Sequence, residues 1–576
     1  MNNVRKLLTC VGKYKKYAIL APIVVICEGA LDILIPFLMS KIIDVGIKNG
    51  DVAYVVKIGV LMIVMALASL VLGALSGRFA AVAGMGFGKN IRKKLFDKVQ
   101  DFSFANTDKF STASLVTRLT TDVTNTQNAF MMVIRTLARA PFMMICATVM
   151  AIKINAELAV IYLFAIPILG VALYLIATRA YPRFQAMLKK YDKLNAQVEE
   201  SLIAIRVVKA FVRKDYENQK FEDAADGLRV MQKRAEKLII LNGPAMQIVM
   251  YTCMICICWF GGNMIIAGGM QTGELMSFIS YLTQILMSLM MLSMIFVMLV
   301  MSQASVTRIT EVLDETVDIP DNEGGIDRLE DGSIEFKNVS FSYAKDPDNQ
   351  TLSHINLSIQ SGETVGIIGG TGTGKTSLVQ LIPRLYDVLD GELLVGGHDV
   401  REYQLEALRS GVAMVLQKNV LFSGTIRENL KWGNENATDE EIIAACKAAE
   451  AHDFIMSFPD GYETELGQGG VNVSGGQKQR LCIARALLKK PQIVILDDST
   501  SAVDTATDSR IRRALREELV GTTTIIIAQR VTSVSDADKI VVLDDEGINA
   551  VGTHEELLET NEIYREVFES QQKGAA

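Results

Sequence analysis

Charge is what this chain has little of. Only 21% of its 576 residues are Asp, Glu, Lys or Arg, against 50% apolar, and its mean hydropathy is positive. That balance excludes an ordinary soluble enzyme and points to membrane spans. The net charge of −7 is small for the length and excludes the basic field that a nucleic-acid partner requires. A paired cysteine framework is also missing. The eight cysteines are scattered, several of them in apolar runs, which fits reduced, buried thiols. Cys253, Cys256 and Cys258 have a spacing like that of a metal site. They lie inside a long apolar segment, however, where cysteine acts as a small hydrophobe. A secretory signal is excluded too. The apolar run after the basic residues 1–16 continues to about Ile43, and no small-residue cleavage site closes it. Residues 1–16 therefore read as an interfacial elbow helix.

Long apolar runs are present at 17–45, 55–83, 130–152, 158–180, 241–267 and 275–301. Each has roughly the 20 residues that a spanning helix needs. Lys89, Arg92, Lys93, Lys94, Lys98, Lys109 and Arg118 follow the second run, and 179–237 is also rich in charge. The turns at 48–51, 153–157 and 268–274 are short and poor in cations. By the positive-inside rule both termini and both long loops face the cytoplasm, and a bacterial inner membrane is the expected location. The long loops, 84–129 and 181–240, carry helical patterns such as Leu194, Val198, Leu202, Ile205 and Val208. The spans then continue as helices roughly 30 Å beyond the bilayer, with tips expected at 106–115 and 213–224. The other reading makes the loops separate soluble insertions.

Within the spans, Pro36, Pro141 and Pro167 mark expected kinks. Glu28 and Asp32 share one face of the first span. Carboxylates at that depth are functional candidates, open to a cationic substrate or to a neighbouring helix. Methionine is dense in the last span, from Met276 through Met294 to Met301. It suits either a cavity for varied apolar ligands or ordinary helix packing.

The composition changes at 316–330, which reads as a linker, and residues 331–576 form a second domain. Here short apolar strands alternate with helices. Candidate strands are 334–336, 364–368, 412–416, 493–496, 523–527 and 540–543, an order that predicts a mainly parallel α/β sheet. The second of these runs into Gly369-Gly370-Thr371-Gly372-Thr373-Gly374-Lys375-Thr376, followed by Ser377 at the start of a helical pattern. This is a phosphate-binding loop in its proper context. Glycines let backbone N–H groups face an anion. Lys375 would reach the β- and γ-phosphates, and Thr376 would hold Mg²⁺. Ser474-Gly475-Gly476-Gln477 opens a helix and forms a second anion cradle. The apolar strand ending at Asp497 would deliver that carboxylate to the metal. One domain has little use for two cradles on one triphosphate, whereas a dimer in which each cradle caps the other subunit's nucleotide uses both.

With these motifs in place, the chain resembles a half-transporter of the ATP-binding cassette exporter family over essentially its whole length. The resemblance implies a six-helix transmembrane domain at 17–315, long cytoplasmic helical extensions whose tips are coupling helices, and a nucleotide-binding domain at 331–576. It further implies ATP and Mg²⁺ as cofactors. By the same resemblance Tyr343 stacks on adenine, Gln417 sits near Mg²⁺ and the attacking water, and Ser501-Ala502-Val503-Asp504 reaches across the dimer.

This sequence departs from the family pattern in the catalytic pair. Asp498 stands where the family carries its glutamate base, and Gln529 stands where it carries a switch histidine. Gln468 also replaces a frequent glutamate. A general base must come within hydrogen-bond reach of its water, and glutamine has no protonatable imidazole. The expectation is a weakened site and a heterodimer with a second half-transporter that keeps both residues. The competing readings are drift with activity retained in a slow homodimer, and an ATP-gated channel or regulatory subunit. The expected cargo is apolar or amphipathic: a small molecule, lipid or peptide.

Overall fold

The computed structural model describes residues 2–498, 505–545 and 547–573. They group into two units, one of Met1–Asp101 with Phe110–Glu315, the other of Phe102–Lys109 with Thr316–Ala576.

The first unit is helical. Helix α1 (Asn2–Leu8) buries Leu7, and a 3-10 turn at Thr9–Tyr14 buries Cys10 and Val11, so the basic N-terminus lies down by its apolar face. Then come α2 (Lys15–Lys41), α3 (Val52–Gln100), α4 (Phe104–Phe110, whose residues 104–109 belong to the second unit), α5 (Thr112–Thr117), α6 (Val123–Met132) and α7 (Ala138–Ile154). They are followed by α8 (Ala156–Ile203), α9 (Ile205–Ala210), α10 (Lys214–Ile239), α11 (Asn242–Ile266) and α12 (Thr272–Asp314). Among the described residues, six segments are long and apolar enough to cross a membrane: Val4–Ile47, Val52–Gln100, Thr112–Ile154, Ala156–Ile203, Lys214–Ile266 and Thr272–Asp314. Helices α3 and α8 have 49 and 48 residues. At 1.5 Å per residue each is roughly 70 Å long, more than twice the hydrocarbon thickness.

At the short, cation-poor turns the sequence supplies its own caps. Asp51 accepts the N–H of Tyr54 at 3.0 Å, and Asn155 accepts that of Leu158 at 2.9 Å. Gln271 and Glu274 form a reciprocal capping box at the head of α12. At the first long loop the chain breaks around α4 and α5. Ser111, with a φ of 52°, separates them and caps α5. The second long loop turns at 204–213, through α9, and residues 214–224 already lie in α10. The tip expected at 213–224 therefore falls earlier in the chain. The charges of 214–224 mark the solvated face of a helix that packs along α8, not a turn.

Buried polar side chains tie these helices together. Tyr281 donates to the carbonyl of Ile33 at 2.9 Å, and Tyr162 donates to that of Phe278 at 2.6 Å while stacking on its ring. A buried phenol needs an acceptor, and here each finds one on another helix. Fully buried Asp122 accepts from Ser305 Oγ at 2.8 Å and Arg308 Nε at 2.7 Å, which pins the start of α6 to α12. Glu28 and Asp32 share one cation from α7. Arg139 donates to Glu28 Oε1 at 2.6 Å and to Asp32 Oδ2 at 2.7 Å, and Ser69 on α3 donates to Asp32 Oδ1 at 2.7 Å. A neighbouring helix thus satisfies both carboxylates, apart from Glu28 Oε2, which is buried without a partner. Sequence reading passes over Arg139 because it lies inside an apolar run.

The second unit holds strands β1 (Ile334–Phe341), β2 (Leu352–Ile359), β3 (Thr364–Gly369), β4 (Asp390–Val395), β5 (His398–Asp399) and β6 (Val412–Val415). It continues with β7 (Gly424–Thr425), β8 (Glu465–Leu466), β9 (Ile493–Asp497), β10 (Thr523–Ile527), β11 (Lys539–Asp544) and β12 (Gly547–Gly552). The expected parallel sheet runs β12-β11-β3-β10-β9-β6, with only its edge strand β12 antiparallel. Residues 334–336 do not belong to it. They start β1 of a separate antiparallel sheet, β2-β1-β4-β5. The signal was the alternation of Leu352–Ile359, which buries positions 352, 355, 357 and 359, as a strand with one solvated face does. By contrast β9 is buried at every position, as a central parallel strand must be. One hydrophobic core joins the two sheets, with Phe336, Phe341 and Ile355 packed among Val365, Ile367 and Ile495.

Candidate active site

Register places the site. Ile527 pairs with both Ile367 and Asp497, and Val415 pairs with Leu496. The carboxyl ends of β3, β6, β9 and β10 therefore share one edge, where open α/β sheets bind ligands.

The loop after β3 is curled by its glycines. Gly372 and Gly374 have φ values of 95° and 83°. At Gly374 a Cβ would also meet Leu352 Cδ2 at 2.7 Å. Thr373 Oγ1 closes the loop on the carbonyl of Gly370 at 3.0 Å, and Lys375 Nζ folds back onto that of Gly369 at 2.9 Å. Gly370 and Thr371 are exposed at its rim. Burial pushes the Lys375 pKa down, while Asp497 and Asp498 pull it up. The helix Lys375–Leu381 starts directly behind the loop, with Ser377 buried in its first turn. Tyr343, beyond β1, leans on that turn. Its hydroxyl bonds Ser377 Oγ at 2.9 Å, yet the residue stays 49% exposed.

Asp497 ends β9 in a buried position. Thr376 Oγ1 donates to its Oδ1 at 3.1 Å, and its Oδ2 is buried without a partner. Burial raises its pKa above the usual carboxylate range, the Thr376 bond opposes this, and Asp498 adds to it. A buried carboxylate with one open oxygen beside a threonine hydroxyl is a fit donor set for Mg²⁺, which takes hard oxygens at one or two protein positions. Gln417 lies exposed two residues past β6, on the same edge.

Asp498 and Gln529 come together directly. Asp498 takes a φ of 49° and its N–H bonds the carbonyl of Ile527 at 3.0 Å. Gln529 Nε2 donates to Asp498 Oδ2 at 2.9 Å. The two residues that depart from the family pattern are thus in contact.

The second cradle stands apart. Ser474 caps the helix Gly475–Leu488 by accepting the N–H of Gln477, and Gln477 Oε1 accepts the N–H of Ser474 at 2.8 Å. Ser474 and Gly475 are exposed, as is Gln468. Among the described residues no hydrogen bond joins 474–477 to 369–377. Asp504, with Ser501, Ala502 and Val503, lies outside the described residues. Sequence reasoning missed Tyr386, whose ring packs 5.1 Å from that of Tyr343. No motif marks it.

Comparison with known proteins covers both units of the chain. Residues 18–308 match the ABC transporter transmembrane region, and residues 352–501 match the ABC transporter domain. The chain is 38% identical to the uncharacterized ABC transporter ATP-binding protein YfiB of Bacillus subtilis (strain 168), over 99% of this chain and 98% of that one. It is 31% identical to the ATP-dependent lipid A-core flippase of Syntrophus aciditrophicus (strain SB), over 100% and 95% of the two chains. Among solved structures, a bacterial Atm1-family ABC exporter with ATP bound superposes with a TM-score of 0.85 at 25% identity, over 96% of this chain and 99% of that one.

Proposed function

Given that this chain belongs to the ABC transporter family, as a transport-coupled ATPase of the exporter type, we propose that it is one half of a heterodimeric exporter of an apolar or amphipathic substrate. In this reading the chain sits in a cell membrane with its termini and nucleotide-binding domain in the cytoplasm. The carrying observation is the Asp498–Gln529 contact, taken together with an intact cap at Ser474 elsewhere in the same domain. Asp498 is one methylene shorter than a glutamate base, about 1.5 Å of reach. Its Oδ2 is already engaged by the Gln529 amide, which relays no proton. The chain's own site therefore holds ATP and hydrolyses it slowly, and Ser474-Gly475-Gly476-Gln477 completes the competent site of the partner.

The same reading assigns the other roles. Mg²⁺ neutralises phosphate charge when bound, and Thr376, Asp497 and Gln417 would hold it. The loop from Gly369 to Thr376, with Ser377 behind it, cradles the phosphates. Lys375 exchanges its carbonyl partners for phosphate oxygens, and Tyr343 stacks on adenine. Lys375→Ala removes charge-assisted bonds and is expected to weaken ATP binding at this site by about 10- to 100-fold, measured by nucleotide titration of the purified pair. Unchanged affinity would remove Lys375 from the site.

Support for the cargo class comes from a cavity of 640 Å³ between α8, α12 and the start of α11. Tyr181, Phe184, Met294 and Phe296 line it, and Asn242 and Gln303 supply polar groups. Likeness to a lipid A-core flippase also supports an amphipathic cargo. The test is ATP-dependent accumulation of a fluorescent amphiphile in inverted vesicles containing the pair. Accumulation against a gradient supports export, whereas an ATP-gated leak that stops at equilibrium supports a channel.

A further inference from the structure

The last helix of the second unit, Glu562–Lys573, buries one stripe of its surface. Tyr564 is fully buried, and Val567 and Phe568 join it in one apolar cluster with Ile368, Ala528 and Val531. Ile368 directly precedes the phosphate loop, and Ala528 and Val531 flank Gln529 and Arg530. The Tyr564 hydroxyl is bonded to His554 Nδ1 at 2.7 Å, which fixes the helix on its own unit. A stripe at i, i+3 and i+4 next reaches i+7. That position is Gln571. Its carboxamide makes two bonds that an apolar side chain could not. Gln571 Nε2 donates to the carbonyl of Gln529 at 2.8 Å, and Gln571 Oε1 accepts the N–H of Val531 at 2.9 Å. One side chain therefore holds the peptide groups on both sides of Arg530. Gln529 in turn donates to Asp498 Oδ2 at 2.9 Å.

We propose that Gln571 is a positioning residue that keeps Gln529 on Asp498 and so holds this chain's own ATP site in its slow state. The inference rests on the reading of that site as weakened. Gln529 is exposed, and an exposed glutamine has many rotamers for one hydrogen bond to restrain. Which rotamers are open depends on the backbone that carries them. By fixing that backbone Gln571 keeps the amide aimed at Asp498. In hydrolysis the water oxygen bonds the γ-phosphorus as the bridging P–O bond to ADP breaks, and a proton of that water passes to the base. An oxygen that already accepts from Gln529 is a poorer acceptor for that proton. Among the described residues Gln571 bonds neither Asp498 nor the phosphate loop, so its action passes through Gln529.

The test uses the full chain with its partner in lipid nanodiscs, with ATP and Mg²⁺. Ser474→Arg disables the partner's site in the proposed heterodimer, so the hydrolysis that remains reads this chain's own site. In that background Gln571→Leu, which keeps the length and loses both bonds, is expected to raise the remaining hydrolysis about five-fold, with KM for ATP kept within about two-fold. Gln571→Glu keeps the acceptor for Val531 and loses the donor to Gln529, and is expected to raise it about two-fold. Adding Asp498→Asn to either variant should cancel the rise. A purely structural role for Gln571 predicts lower hydrolysis, or a change indifferent to Asp498. Unchanged or lower hydrolysis in both variants overturns the proposal, as does a rise that survives Asp498→Asn. Amide hydrogen exchange reads the clamp itself, whichever site is slow. Exchange over residues 529–533 should quicken about ten-fold in Gln571→Leu, and unchanged exchange there also overturns the proposal. Ser474→Arg by itself separates the underlying reading. If it leaves hydrolysis unchanged, the division of the two sites between two chains is wrong, whatever Gln571 does.

Discussion

In the purified pair, Ser474→Arg is expected to lower ATP hydrolysis on the order of 100-fold, and Asp498→Asn by less than about two-fold. The asymmetry follows if, as proposed, the cassette's two halves belong to different sites. Ser474 makes the capping box with Gln477 and stands exposed, with Gly475, at the head of a 14-residue helix. Arginine there loses the cap and places a bulky cation where phosphate must approach. In the proposed heterodimer that damage falls on the partner's site, which keeps a competent base. Asp498 serves the other site. It is short, and Gln529 already binds one of its oxygens. Losing a well-placed general base removes on the order of 10²–10⁴ in rate, about 3–5 kcal/mol of barrier. A large loss on Asp498→Asn would therefore mean that this aspartate is a working base. If the chain purifies alone as a dimer with brisk hydrolysis that Asp498→Asn destroys, the heterodimer is wrong and a homodimer replaces it.

The second large effect concerns the membrane unit. Arg139→Met is expected to destabilise it by about 3–5 kcal/mol, because it removes the one cation that, among the described residues, bonds both Glu28 and Asp32. Among the described residues, Glu28 would keep no hydrogen bond, since its Oε2 already lacks one, and Asp32 would keep only Ser69. The cost comes from the charges left behind, so neutralising them should recover most of it. The triple variant Glu28→Gln, Asp32→Asn, Arg139→Met is expected to unfold near the wild-type temperature. The measurement is thermal unfolding of the helical signal in lipid-supplemented micelles. A single variant as stable as wild type would show that the three charges do not hold α2, α3 and α7 together. A triple variant as unstable as the single one would locate the loss in packing rather than in charge.

These two sites differ in how much of them the sequence alone discloses. Span lengths, the caps at Asp51, Asn155 and Gln271, the curled loop from Gly369 to Thr376 and the cap at Ser474 are local. Each is set by hydropathy, turn chemistry or left-handed backbone within a few residues, so each is legible without a fold. The identities of Asp498 and Gln529 are legible too. Their contact is not, because it spans 31 residues and exists only where β9 and β10 run in register. Arg139 reaches Glu28 across 111 residues, and nothing in the apolar run around it names a partner. The antiparallel sheet escaped because a short apolar stretch such as 334–336 does not say which sheet it joins. The second loop tip was misplaced because charge clusters mark solvated helix faces as readily as turns. Tyr386 carries no motif at all. Sequence by itself determined which segments are long and apolar enough to cross a membrane, which glycine-rich loop curls between β3 and its helix, and that Asp498 and Gln529 depart from the family pattern. Tertiary structure decided which charges meet and which rings touch, because those depend on the adjacency of elements far apart in the chain, and periodicity carries no record of adjacency.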